Sequence, residues 1–143
     1  NMWARLWSRS RASAIWMIDQ TVLPQLMELS LDVGTGGMPV YLPPGGASAA
    51  PYGTIFGRPV IEHEYGAAVG DAGDIMLVDW SEYLMIEKGG VESASSIHVN
   101  FTSGEQVFRF TYRCDGEHSW NSALTPNSGG DTQSPIITLA ERA

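Results

Sequence analysis

The sequence is short of cysteine, of basic charge and of long apolar runs. Its one cysteine, Cys114, has no internal partner, so no disulfide framework or oxidising compartment is implied. Eight Lys and Arg stand against sixteen Asp and Glu, a net charge of -8. That is the wrong sign for gripping a phosphate backbone or an anionic lipid surface. Neither specific nucleic-acid recognition nor a membrane partner is expected. No apolar run approaches the roughly 20 residues that cross a bilayer. No basic segment leading into an apolar one opens the chain, so no secretory signal is read.

The motifs of common chemistries are equally scarce. A Gly-rich stretch is present, but no G-x-x-x-x-G-K pattern, which argues against a phosphate cradle. There is no G-x-S-x-G elbow. His63 lies between Glu62 and Glu64, three consecutive polar residues rather than ligands converging from separate places, and His98 and His118 sit at no ligand spacing. These histidines read as surface residues. Asp71, Asp74 and Asp79 lack the acidic alternation and closing glutamate of an EF-hand. Asp74 and Asp79 read instead as turn formers at the two ends of a buried strand. Cys114 falls on the apolar side of an alternating segment and reads as a small buried hydrophobe. No catalytic residue, cofactor or metal is expected.

What is present is a globular composition, 43% hydrophobic and 17% charged over 143 residues. That length supports one domain, or a compact core with a small appendage. Trp3, Leu6 and Trp7 fall at helical spacing, and Ala14-Ile15-Trp16-Met17-Ile18 has the length and content of a buried strand. A helix follows. Thr21 is placed to cap it, Pro24 sits in its first turn, and Val22, Leu26 and Leu29 share a face up to Gly34. Residues 34–53 hold six glycines and four prolines, too many breakers for a helix or central strand. Val40, Tyr41 and Leu42 interrupt this stretch as a brief strand or anchor.

Beyond residue 54 the pattern is mostly β. Residues 74–80 and 83–86 read as strands, with Gly89-Gly90 as a turn between elements. Ile97, Val99 and Phe101 alternate with polar residues, as do Phe108, Phe110, Tyr112 and Cys114 after a turn at Ser103-Gly104. Period-two alternation predicts a long antiparallel hairpin with aromatics on one face and one wet side. Asp115-Gly116 reads as a turn, residues 126–131 as a loop and residues 136–139 as a last strand. The fold class is α+β, a mixed or antiparallel sheet with flanking helices.

The order of these segments resembles the C-terminal part of the tailed-phage major capsid protein family, whose fold is shared with encapsulins and the herpesvirus capsid floor. The resemblance is carried by the strand-then-helix unit from Ala14 to Leu29 and by Ile55-Phe56-Gly57-Arg58-Pro59-Val60-Ile61. It continues through Asp74-Ile75-Met76-Leu77-Val78-Asp79-Trp80-Ser81-Glu82-Tyr83, through the long strand ending at Arg113-Cys114-Asp115-Gly116, and through Ser134-Pro135-Ile136-Ile137-Thr138-Leu139. It implies a phage major-capsid-type fold: an axial domain over residues 1–82, with the Gly/Pro-rich loop 34–53 near the capsomer axis. Residues 83–143 would form a peripheral-domain hairpin and return strands completing the axial sheet. The family's N-terminal arm, extended loop and spine helix have no counterpart here, so the chain is read as a fragment.

The implied function is that of a structural subunit of an icosahedral viral or prophage capsid, assembling into pentamers and hexamers around DNA. The implied partners are further copies of itself and neighbouring capsid, portal and scaffold proteins, in virions assembled in a bacterial cytoplasm. Candidate intersubunit contacts are Pro39, Tyr41, Pro43 and Pro44 in the loop, with Arg58, Arg109 and Arg113, since arginine suits bidentate pairing. Deletion of residues 34–53 is expected to leave a folded protein with defective capsomers. The rival readings are an encapsulin-like shell subunit, a small β-rich hydrolase or carbohydrate-binding domain, and a tail or baseplate β module.

Overall fold

A computed structural model describes residues 1–31, 36–45 and 51–142. The chain divides into two units: Asn1–Ser81 with Trp120–Ala143, and Glu82–Ser119. Gly34, expected to close the helical segment, and residues 46–50 of the Gly/Pro-rich stretch lie outside the described residues.

The first unit opens with helix α1 (Met2–Arg5) and a 3-10 turn (Ser8–Ala12), followed by strand β1 (Ile15–Asp19). A second 3-10 turn (Gln20–Val22) leads into helix α2 (Leu23–Glu28). Short strands β2 (Ser30–Leu31), β3 (Met38–Pro39), β4 (Tyr41–Leu42) and β5 (Thr54–Ile55) precede β6 (Arg58–His63) and β7 (Ile75–Val78). In the second unit lie β8 (Tyr83–Glu87), β9 (Glu92–Asn100), β10 (Glu105–Thr111) and β11 (Cys114–His118), before the chain returns through β12 (Ile136–Thr138).

Strands of the first unit form a mixed six-stranded sheet in the order β12-β7-β1-β6-β5-β4. β1 is central. It runs parallel to β6, with Trp16 beside Val60, and antiparallel to β7, with Trp16 beside Leu77. Alternation along β1 buries Trp16 and Ile18 on one side. There they join Leu6, Ala14, Val22, Leu26, Tyr41, Ile55, Val60 and Leu77 in one core. The indole N–H of Trp16 is satisfied by the Ile55 carbonyl at 3.1 Å, which lets a polar-tipped ring be buried without penalty. The closing strand expected near residues 136–139 is β12, paired to β7 through Ile137 and Leu77.

The helical segments differ in detail from expectation. Trp3 lies in α1, but Leu6 and Trp7 fall beyond its end. Leu6 is fully buried. Trp3 packs on Phe56, with ring centroids 5.7 Å apart, and Trp7 meets Trp120 edge-on at 5.4 Å. Thr21 is not the helix cap. The Asp19 carboxylate receives the Thr21 N–H and caps the 3-10 turn that leads into α2. α2 stops at Glu28, where Leu29 turns extended and becomes exposed.

Phe56 and Gly57 have φ of 49° and 73°, and they link β5 to β6 with Ile55 opposite Arg58. Two central residues with positive φ make the primed turn that matches strand twist. A bulky residue seldom adopts this conformation, and here its ring lies on Trp3.

In the second unit, β9 pairs with β10 and β8 with β11, both antiparallel. The Lys88 N–H donates to the Arg113 carbonyl at 3.0 Å and joins the two ladders into one two-stranded ribbon. Its tip is closed by Ser103 N–H on the Asn100 carbonyl, as the Ser103-Gly104 turn predicts. Gly89-Gly90 does not reverse the chain, because β8 and β9 lie on the same side of the ribbon. Asp115-Gly116 is not a turn either but part of β11. Glycine is needed there because a Cβ at residue 116 would come within 3 Å of the Tyr83 ring. Cys114 is exposed rather than buried. No residue from 82 to 119 is buried, so the expected single wet side is replaced by two open faces. A two-stranded ribbon has no second layer to cover either of them.

Tyr41 and Gly53 correct the view of residues 34–53 as a removable loop. Tyr41 is a core residue, and its ring occupies the space a Cβ on Gly53 would need, 2.3 Å from the hydroxyl. Deletion of the stretch would therefore take away part of the core. Gly53→Ala is expected to cost about 1–3 kcal/mol through overpacking against Tyr41, measured as a lower urea midpoint with an unchanged slope.

Candidate functional site

Three buried carboxylates hold the first unit's strand ends. Asp19 ends β1, and its Oδ1 accepts the Thr21 N–H at 2.9 Å and the Thr21 hydroxyl. Asp79 follows β7 in the same way, accepting the Ser81 N–H at 3.2 Å and the Ser81 hydroxyl at 2.7 Å. Asp74 precedes β7 and is fully buried. It accepts the Gly70 N–H at 3.0 Å and pairs with Arg142, while its Oδ1 has no partner. Asp74 and Asp79 thus stand at the two ends of β7 as turn formers, as the sequence predicts, and both are buried as well. The signal that marks Asp19 and Asp79 is a strand-ending Asp followed two residues later by Thr or Ser.

The environment of Asp19 and Asp79 favours the charged form. The Asp19 carboxyl is held below the usual range, first by the Thr21 hydroxyl, then by the Thr21 N–H and, more weakly, by His63 against a small burial effect. Burial pushes the Asp79 carboxyl up, but the Ser10, Ser81 and Ser13 hydroxyls and the Ser81 N–H outweigh it, and the net direction is down. The Ser10 hydroxyl acts by proximity, since no atom lies at normal hydrogen-bond geometry from it. His63 is half-buried rather than on the surface as expected, and its Nε2 is enclosed without a partner.

The predicted contact residues of the first unit are not equivalent. Pro39, Pro43 and Pro44 are exposed. Tyr41 is committed to the core, where burial, followed by the charge of Glu62, pushes its phenol up. An open hollow of about 450 Å³ lies beside it, lined by Tyr41, Pro44, Pro51, Tyr52, Val60 and Glu62 among others. Arg58 donates its Nε–H to the Ala14 carbonyl at 2.8 Å, so one donor of its fork is already used inside the chain. A second hollow, of about 430 Å³, is walled mainly by apolar side chains including Trp3, Trp16, Leu26 and Phe56. A hydrolase reading calls for converging polar groups in a cleft, and neither lining has that character.

In the second unit, Arg109 and Arg113 are exposed on the ribbon. Arg113 borders a small hollow with Lys88, Glu92 and Thr111. Arg109 stands opposite Ala94. Among the described residues, no group of three or more His, Cys, Asp or Glu side chains is placed to hold a metal ion. Among them, too, no helix is long and apolar enough to cross a membrane.

The family described as the phage capsid family matches residues 1–126. No curated protein and no solved structure matches the chain.

Because Asp19 and Asp79 titrate below the ordinary carboxyl range, the folded chain binds their protons more weakly than the unfolded chain does. Their contribution is therefore present above the unfolded value, near about 3.9, and is lost as pH falls through the lower folded values. Asp79→Ala is expected to cost about 1–3 kcal/mol at neutral pH, by leaving the Ser81 donors unpaired. The difference from the parent protein should shrink below about pH 4, as urea unfolding across pH would show.

Proposed function

The chain belongs to the phage capsid family, and on that premise we propose that it is a subunit of an icosahedral head, assembled from pentamers and hexamers of identical chains. The family is a structural, non-enzymatic one, which supports reading the chain as a component of a virion capsid. A shell subunit works by repeating the same contacts around symmetry axes until the surface closes. Many weak contacts acting together give a stable container. The observation that carries this reading is the family match across residues 1–126.

In this proposal residues 1–82 form the axial domain. Residues 83–143 supply the peripheral hairpin and the return strand that completes the axial sheet. The division of the chain near residues 81 and 120, and the pairing of β12 with β7, support that assignment. Exposed Pro39, Pro43 and Pro44 would meet neighbours near the capsomer axis, with Tyr41 anchoring that segment from within the core. Arg58 would use its remaining donors, and Arg109 and Arg113 the full fork, for intersubunit pairs. Portal and scaffold proteins would be the further partners, during assembly in a bacterial cytoplasm. The acidic balance would keep the wall from sticking to packaged DNA.

Electron microscopy of particles from cells producing the chain within its natural polypeptide tests this reading. Closed shells with five-fold and six-fold clusters, filled with DNA, are expected. Small discrete oligomers with no closed particle would contradict it. Shells filled with an enzyme instead of DNA would favour an encapsulin-like compartment.

A further inference from the structure

Two acidic side chains stand side by side at one end of the six-stranded sheet. The β1–β7 register that sets Ile18 opposite Ile75 continues to Asp19 and Asp74, where the Asp19 N–H donates to the Asp74 carbonyl at 3.1 Å. Residues opposite each other in a ladder share a face. Asp19 is answered locally, by the Thr21 N–H and hydroxyl. Asp74 is answered from a distance. It is fully buried, its Oδ1 is enclosed without a partner, and its Oδ2 takes the Gly70 N–H at 3.0 Å. The cation on that same oxygen is the guanidinium of Arg142, 68 residues away in sequence.

Arg142 reaches Asp74 because its backbone is tied to the loop at 70–74. The Leu139 N–H donates to the Ile75 carbonyl at 2.9 Å, and the Leu139 carbonyl accepts the Gly73 N–H at 3.0 Å. These two bonds extend the β12–β7 ladder. The Arg142 N–H then donates to the Gly70 carbonyl at 2.8 Å. Residues 139–142 therefore cross the loop as a strap. The strap prolongs β12, a strand of three residues at the edge of the sheet. At its other end β12 is held through Ser134, whose carbonyl accepts the Trp7 N–H and whose N–H donates to the Arg5 carbonyl. The strap lies beyond the residues that match the family.

Little apolar contact anchors the strap. Leu139 is half-buried, and Ala140, Glu141 and Arg142 are exposed. A backbone bond of an exposed segment exchanges for a bond to water at small net cost. A buried carboxylate stripped of its cation has no such exchange, and leaving one partner of a buried pair alone is strongly unfavourable. The ion pair therefore decides whether the strap stays down.

We infer that residues 139–142 form a latch over the loop at 70–74, pinned by the Arg142 guanidinium on the buried Asp74 carboxylate, which opens as a local unit while the rest of the sheet stays folded. Opening releases the C-terminal end of β12 and bares the edge of β7 behind it.

Hydrogen exchange of the full chain, read by mass spectrometry, tests the latch. In the parent chain the amides of Gly73, Leu139 and Arg142 should exchange with little dependence on dilute urea, the mark of a local opening. A urea slope equal to that of the β1 amides would overturn the inference. Arg142→Met should speed exchange at those three positions by roughly tenfold or more and leave β1 and β6 as in the parent. Arg142→Lys, which keeps the charge, should retain most of the protection. Adding Asp74→Asn to Arg142→Met should recover part of it, because no unpaired carboxylate is left. Unchanged exchange in Arg142→Met would sink the pin. An equal rise in every strand, or failure of Arg142→Met to fold, would show a contribution to global stability and no separate latch.

Discussion

A β-sheet must cover its apolar face with another layer, and this constraint governs both halves of the chain. In the first unit, β1 lies at the centre of six strands and sends Trp16 and Ile18 into a core with Leu6, Val22, Leu26 and Tyr41. Each aliphatic side chain fully buried there contributes about 1.5–3 kcal/mol relative to exposure. The short helices, the 3-10 turns and the loop strand around Tyr41 are the second layer. Asp19 and Asp79 fix where β1 and β7 end by presenting a carboxylate to the N–H and hydroxyl two residues on.

The second unit fails to meet the same constraint within one chain. Its ribbon pairs well along the backbone, from Tyr83 opposite His118 to Asn100 opposite Glu105. Yet it buries no side chain. Backbone pairing without a covered face leaves a two-stranded element marginal in water.

Much of the architecture was legible in the sequence. The buried strand at residues 14–18, the strand at 74–80, the hairpin around Ser103-Gly104 and the closing strand near 136 were readable because periodicity and turn residues are local signals. The family resemblance was legible in the order of those segments. Three departures involve surroundings that no local pattern announces. Gly116 reads as a turn in the sequence because nothing local announces that the Tyr83 ring lies over it. Cys114 reads as buried in the sequence but is exposed, because alternation tells which residues share a face but not whether that face is covered. Tyr41, grouped with exposed loop contacts, is held in the core by residues such as Ile55, opposite it in the sheet.

The sequence by itself determined the alternation of the ribbon strands, the breakers between elements, the acidic balance and membership of the capsid family. Each is a property of residue type and order. Only the tertiary structure decided that β1 runs parallel to β6, that three aspartates are buried at strand ends, and that Phe108 and Phe110 are exposed. Burial and pairing arise between segments many residues apart, and no local pattern encodes which of two possible faces another part of the chain will cover.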